Sequence, residues 1–161
     1  MNEKEMYLQG WEREFQTTLK VLKAYPANQL DFKPHERSRS ARELAWVFVQ
    51  GEQFVDAVIK GQIGPPSDAQ PPATLQEILT TFEQTHKEMV AKVKKLSEKD
   101  YNSTIKIPVG PNKMEDWRRA DTLWFVIMDQ VHHRGQFSVY LRMAGGKVPS
   151  IYGPSADEPW M

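Results

Sequence analysis

Apolar positions recur at threes and fours in four stretches of the chain, and each stretch predicts one amphipathic helix. In the first, Leu8, Trp11, Phe15, Leu19 and Leu22 fall on one stripe, and Pro26 and Pro34 end the pattern within "YPANQLDFKPH". The second opens at "SARE", where Ser40 and Glu43 have the spacing of a capping box, and runs to Gly61 as a C-terminal stop. Its predicted inner face is Leu44, Val47, Gly51, Phe54 and Val58. After the proline-rich linker "QIGPPSDAQPP", a second capping box from Thr74 to Glu77 starts the third helix. Leu75, Ile78, Phe82, His86, Met89, Val93 and Leu96 make its stripe. The fourth covers about residues 118 to 144 and stops at Gly145-Gly146.

Between the third and fourth helices lies "SEKDYNSTIKIPVGPNKMEDW". "STIKI" has strand propensity, but a lone short strand needs a partner, so the segment reads as a long connection able to carry the chain over the end or side of a bundle. Four helices of about 20 residues with two extended connections predict an all-α, four-helix bundle with long crossover connections. The chain has 161 residues, enough for a single domain over 1–161 with one sizeable core.

Charge and composition narrow the function classes. Lys and Arg together number 21, as do Asp and Glu, so no global field draws the chain to nucleic acid or to an anionic membrane. There is no cysteine, which removes disulfides, zinc-thiolate sites and a cysteine nucleophile. No apolar run approaches the roughly 20 residues of a membrane span, and the charged N-terminus lacks a signal-peptide core. The expectation is a cytoplasmic protein with neither nucleic acid nor membrane as partner.

Candidate chemistry concentrates in "MDQVHHRGQFSVYLRMAGGKVP". Val126, Asp129, His133, Phe137 and Tyr140 or Leu141 share a face by the helical period, and a carboxylate and imidazole four residues apart can converge on one divalent ion. Zinc, nickel, iron or manganese would accept such ligands. His132, three residues from Asp129, and Gln50 on the second helix are weaker contributors. Gln50, Arg134, Tyr140 and Val47 are the candidate substrate-binding positions, and Gly135 reads as a close-approach point between helices. An alternative needs no ligand: Asp129 accepts a hydrogen bond from His133 or Arg134 as a polar clamp. His86, alone on an apolar stripe, reads as a satisfied core residue.

"LDFKPH", "HHRGQ" and "YLRMAGGKVP" together resemble the DinB-like family, which takes in the YfiT-type metal-dependent hydrolases, over nearly the whole chain. The resemblance implies damage-inducible expression, a four-helix bundle, usually a homodimer, and a divalent metal held by one histidine from helix two and two from the last helix. It also implies kinship with thiol-dependent S-transferases. The ligand that precedes "RGQ" matches His133, the histidine four residues earlier is replaced by Asp129, and the helix-two histidine falls on Val47. The implied activity is a metal-dependent hydrolase or thiol S-transferase acting on a small molecule. The alternative is a non-catalytic dimer that binds a small ligand and has lost the metal because Val47 replaces a histidine.

Overall fold

A computed structural model describes residues 1–65 and 68–160; Pro66 and Ser67 of the proline-rich linker and the terminal Met161 lie outside the described residues. The elements are α1 (Glu3–Lys23), α2 (Ala41–Lys60), α3 (Leu75–Lys95), a single turn α4 (Glu98–Tyr101), strands β1 (Thr104–Gly110) and β2 (Lys113–Arg118), and α5 (Arg119–Met143). Among the described residues no helix is long and apolar enough to cross a membrane.

The helix boundaries follow local chemistry. Ser40 and Glu43 cap α2 reciprocally, as Thr74 and Glu77 cap α3, and Gly61 closes α2 at φ 68°. A third box, from Asn2 to Glu5, starts α1. At the end of α5, Gly145 takes φ 82°, where a Cβ is disfavoured. Gly146 packs so tightly that an added Cβ would overlap the Leu141 side chain and crowd Pro26, which accounts for the second glycine of "MAGGKVP".

Long-range contacts fix the helix directions. Glu3 meets Arg118 and Glu14 meets Arg134, so α1 and α5 run parallel. The Arg119 guanidinium donates to the Val58 carbonyl and the Tyr140 hydroxyl to that of Arg39, so α2 runs antiparallel to α5. Phe48 faces Phe82, Glu52 faces His86 and Asp56 pairs with Lys92, so α2 and α3 are parallel. Two consecutive parallel helices require a connection that returns the full helix length. The proline-rich linker makes that return, and the Trp46 indole donates to the Ala69 carbonyl along its way.

The 97–117 segment, which reads from sequence as a long connection over the bundle, does something else. β1 and β2 form an antiparallel hairpin at one end of the bundle, pairing Ile105 with Trp117 and Ile107 with Glu115. "STIKI" thus has a partner, supplied by "KMEDWR", whose polar composition hides its strand character. Asn112 turns the hairpin at φ 57°, a conformation asparagine tolerates. Ile105 and Ile107 are buried against the bundle.

The face of α2 that enters the core is rotated from the predicted one. Leu44 and Val58 of the predicted face are buried, but between them Ala45, Phe48, Val49, Glu52 and Val55 fill the core, whereas Val47, Gly51 and Phe54 are only half-buried. On α5 the inner face is Leu123, Ile127, Gln130, Arg134, Phe137 and Leu141, so Asp129 and His133 sit on its flank.

Candidate functional site

The flanks of α2 and α5 and the returning linker enclose a cleft of about 500 Å³. Val47, Gln50, Gly51 and Phe54 line it from α2, and Phe125, Val126 and Asp129 from α5. Gly64 and Pro65 of the linker cover one end, and Arg39 stands at the other, just before the α2 cap. Val47, Gln50, Gly51, Phe54 and Asp129 are half-buried because the close-packed seam between the helices runs beside them, through Glu52 and Gln130. Gly51 is held small by that seam: a Cβ there would lie 3.2 Å from the Gln130 amide nitrogen.

Of the sequence candidates, the cleft gathers Val47, Gln50 and Asp129. The Asp129 carboxylate lies 3.5 Å from His133 Nε2, so the two are neighbours as their spacing predicts. Asp129 keeps 43% of its side-chain exposure, and the opposite His133 nitrogen faces the Gln136 side-chain oxygen at 3.0 Å. His132 is exposed, and Gln136 donates to its Nε2 at 3.1 Å.

Two candidates stand elsewhere. Arg134, expected from sequence to line the pocket, is buried instead on the α1 side of α5. There it donates to Glu14 Oε2 at 2.7 Å and to the Thr18 hydroxyl and Glu14 carbonyl at 3.2 Å each. It also bonds the Tyr152 hydroxyl, and the guanidinium lies 5.1 Å from the Tyr152 ring centroid. Burial, followed by the bond to Glu14, pushes the Tyr152 phenol above its ordinary pKa. Arg134 therefore fastens the C-terminal tail. Tyr140 sits edge-on to Phe32, with its hydroxyl on the Arg39 carbonyl, and so props the loop before α2. The displacement of Arg134 follows from the rotation of α5, whose core face carries Gln130 and Arg134, one residue on from Asp129 and His133; Tyr140 is buried, about three turns beyond Asp129.

The residues present do not make up the three-histidine site that the family resemblance implies. Val47 contributes a hydrocarbon where an imidazole is needed, leaving Asp129 and His133 as the acidic and imidazole donors on this flank. Among the described residues no group of three or more His, Asp or Glu side chains is arranged to hold an ion.

A second polar cluster lies at mid-height in the bundle, between two apolar clusters. Each long helix gives one residue to it: Glu12, Glu52, His86 and Gln130. Glu52 is fully buried; it accepts from the Trp11 indole at 3.0 Å and from the Gln130 amide at 2.9 Å. His86 bridges the two carboxylates, with Nδ1 3.1 Å from Glu52 and Nε2 3.2 Å from Glu12. Its ring is stacked on Phe15 at 3.7 Å. Burial first, then the Glu52 charge and Tyr101, push the Tyr7 phenol well above its ordinary pKa. His86 is thus the satisfied core residue its stripe suggested. Nothing in sequence places Glu52 in the core ahead of Gln50, because a carboxylate rotated into the core has the same local pattern as one facing water.

The chain matches the family model described as "DinB family" over residues 1–160. It is 28% identical over 153 residues to the uncharacterized protein YrdA of Bacillus subtilis (strain 168), covering 94% of this chain and 89% of that one. Its fold is similar to that of a DinB-like protein from Bacillus cereus ATCC 10987, with a TM-score of 0.79 and 23% identity over 92% of this chain and 97% of the other. The DinB-like protein YjoA of Bacillus subtilis is also similar, with a TM-score of 0.69 and 17% identity over 88% of this chain and 94% of that one. With its bundle, its returning linker and a family match along nearly its full length, this chain belongs to the DinB family.

Proposed function

We propose that this chain is a small-molecule-binding member of the family whose cleft between α2 and α5 takes an organic ligand directly, without the divalent metal. The observation that carries this reading is Val47 on the cleft wall, across from Asp129, which leaves the family's donor set two strong. The cleft itself supports it: aromatic and aliphatic walls with a few polar groups are the usual lining of a ligand site. Metal content by mass spectrometry, after loading the untagged protein with nickel, zinc and manganese, tests it. The expected result is well below one equivalent under every loading.

A second reading, a metal-dependent hydrolase or thiol S-transferase, draws on the 3.5 Å approach of Asp129 and His133. It requires near one equivalent of metal that disappears in both Asp129→Ala and His133→Ala, and that outcome would overturn the first reading.

The functional unit in either reading is a homodimer joined through α5. Phe125, Met128, Val139 and Met143 are each about half exposed and share one stripe with Gly135, whose missing side chain faces open space. Gly135 then serves as a close-approach point between copies of the chain. Light scattering should give twice the chain mass, and Met128→Glu should give the monomer; a monomeric wild-type protein at micromolar concentration rules the dimer out.

A further inference from the structure

The cleft has an order along its length that names a ligand class. Arg39 is at the α2 N-terminal end, Asp129 and Gln50 are midway, and Phe54, Ala57, Phe125 and Pro65 close the far end. From Val47 to Ala57 the wall runs about 15 Å along α2 at the helical rise. Arg39 and Asp129 are the ionisable side chains in this lining, and they differ in how far they are committed. Asp129 faces His133. The neighbouring acid of Arg39, Glu43, is engaged in the α2 cap, accepting from the Ser40 amide at 2.6 Å. The structure gives the Arg39 guanidinium neither a hydrogen bond nor an ion pair among the described residues, although its carbonyl is held by Tyr140.

Resting on the reading that the cleft binds an organic ligand directly, we infer that this ligand is a monoanionic amphiphile. Its carboxylate head pairs with Arg39 and its apolar tail lies between Phe54 and Phe125. A guanidinium presents its donors in the planar fork that a carboxylate accepts, so the free cation selects the head group. One cation, with the Asp129 carboxylate further along the same cleft, suits a single negative charge and disfavours a dianion such as a phosphate monoester. The apolar end has no ionisable side chain in its lining and rewards a hydrocarbon tail in proportion to the area it covers.

Calorimetric titration of the full chain with decanoate, decanol and decylamine, each below its micellar range, tests this. Decanoate should bind at least tenfold more tightly than decanol. Arg39→Gln, at an exposed position where folding is not at risk, should erase that advantage and leave decanol unchanged. Equal binding of decanoate and decanol, or retention of the decanoate preference in Arg39→Gln, overturns the head-group assignment while the cleft remains a ligand site. Tightest binding by decylamine overturns it in favour of Asp129. No binding by any of the three removes both the inference and the reading beneath it.

Discussion

Replacing His86 by alanine should cost about 3–5 kcal/mol of stability, because it empties the space of a buried ring stacked on Phe15 and leaves a buried Glu52 oxygen without its hydrogen-bond partner. Glu52 is fully buried, and its other partners, Trp11 and Gln130, are neutral donors. Among the described residues no lysine or arginine reaches it, so without the imidazole the Glu52 oxygen that faces it is left buried and unpaired. For a chain of this length the loss corresponds to a fall in melting temperature of roughly 10 °C. A double variant separates the unpaired oxygen from simple loss of ring packing against Phe15. In His86→Leu combined with Glu52→Met, both hydrogen-bonding partners leave together, and most of the stability should return, because replacing both partners of a buried polar contact by apolar groups of similar shape is nearly neutral. A melting temperature for His86→Ala within about 2 °C of wild type, or a double variant as unstable as the single, would contradict the account of the polar layer.

The second large effect concerns Arg134. Arg134→Met keeps the aliphatic stem that packs against α1 and removes every donor. Glu14 and Thr18 lose the guanidinium inside the α1–α5 seam, and Tyr152 loses its bond to that guanidinium and the cation over its ring, keeping only its own donation to Glu14 Oε2. The expected cost is about 3 kcal/mol, since a charged group and several hydrogen bonds go together. More diagnostic is where the loss appears. The rest of the tail is held by Val148 and Ile151 packed on the core, by the Tyr152 bond to Glu14, and by surface ion pairs, Asp157 to Arg142 and Glu158 to Lys20, whose contribution in water is small. Trypsin should therefore cut at Lys147 several-fold faster in the variant, before the bundle unfolds. If cleavage accelerates only in step with global unfolding, Arg134 stabilises the seam and has no special hold on the tail. His133→Ala supplies the contrast: on the half-exposed flank of α5, it should move neither readout appreciably.

Arg134 and His133 are adjacent in sequence, and the difference in their expected effects shows where pattern reading stops. The extent and ends of the helices were legible because their causes are local. Ser40 with Glu43, Thr74 with Glu77, Gly61 and Gly145 act within one turn of themselves, and that chemistry is the same in any fold. Four amphipathic stripes then require mutual burial, and "QIGPPSDAQPP" is long enough to return the chain beside α2. The fold class follows from these features, and "HHRGQ" with "YLRMAGGKVP" points to the family that the match over residues 1–160 establishes.

What the sequence could not decide is rotation about a helix axis. In α2, Val47, Gly51 and Phe54 are spaced as well for burial as Ala45, Phe48 and Val55, since apolar residues cover more than half of its circumference. In α5, apolar residues occur on every side, so no single stripe announces the core. The choice was made by packing between helices: Glu52 toward His86 and Trp11, Gln130 toward Glu52, Arg134 toward Glu14. These partners are 34 to 120 residues apart in the chain. The β-hairpin was hidden for the same reason, because "KMEDWR" becomes a strand only through its pairing with "TIKIPVG". Sequence by itself determined the helices, their ends and the family, because those depend on neighbours within a turn and on total apolar surface. Tertiary structure alone decided which flank became a cleft and which arginine became a core clamp, because a rotation of one residue step, about 100° of helix, exchanges inside for outside at almost no local cost.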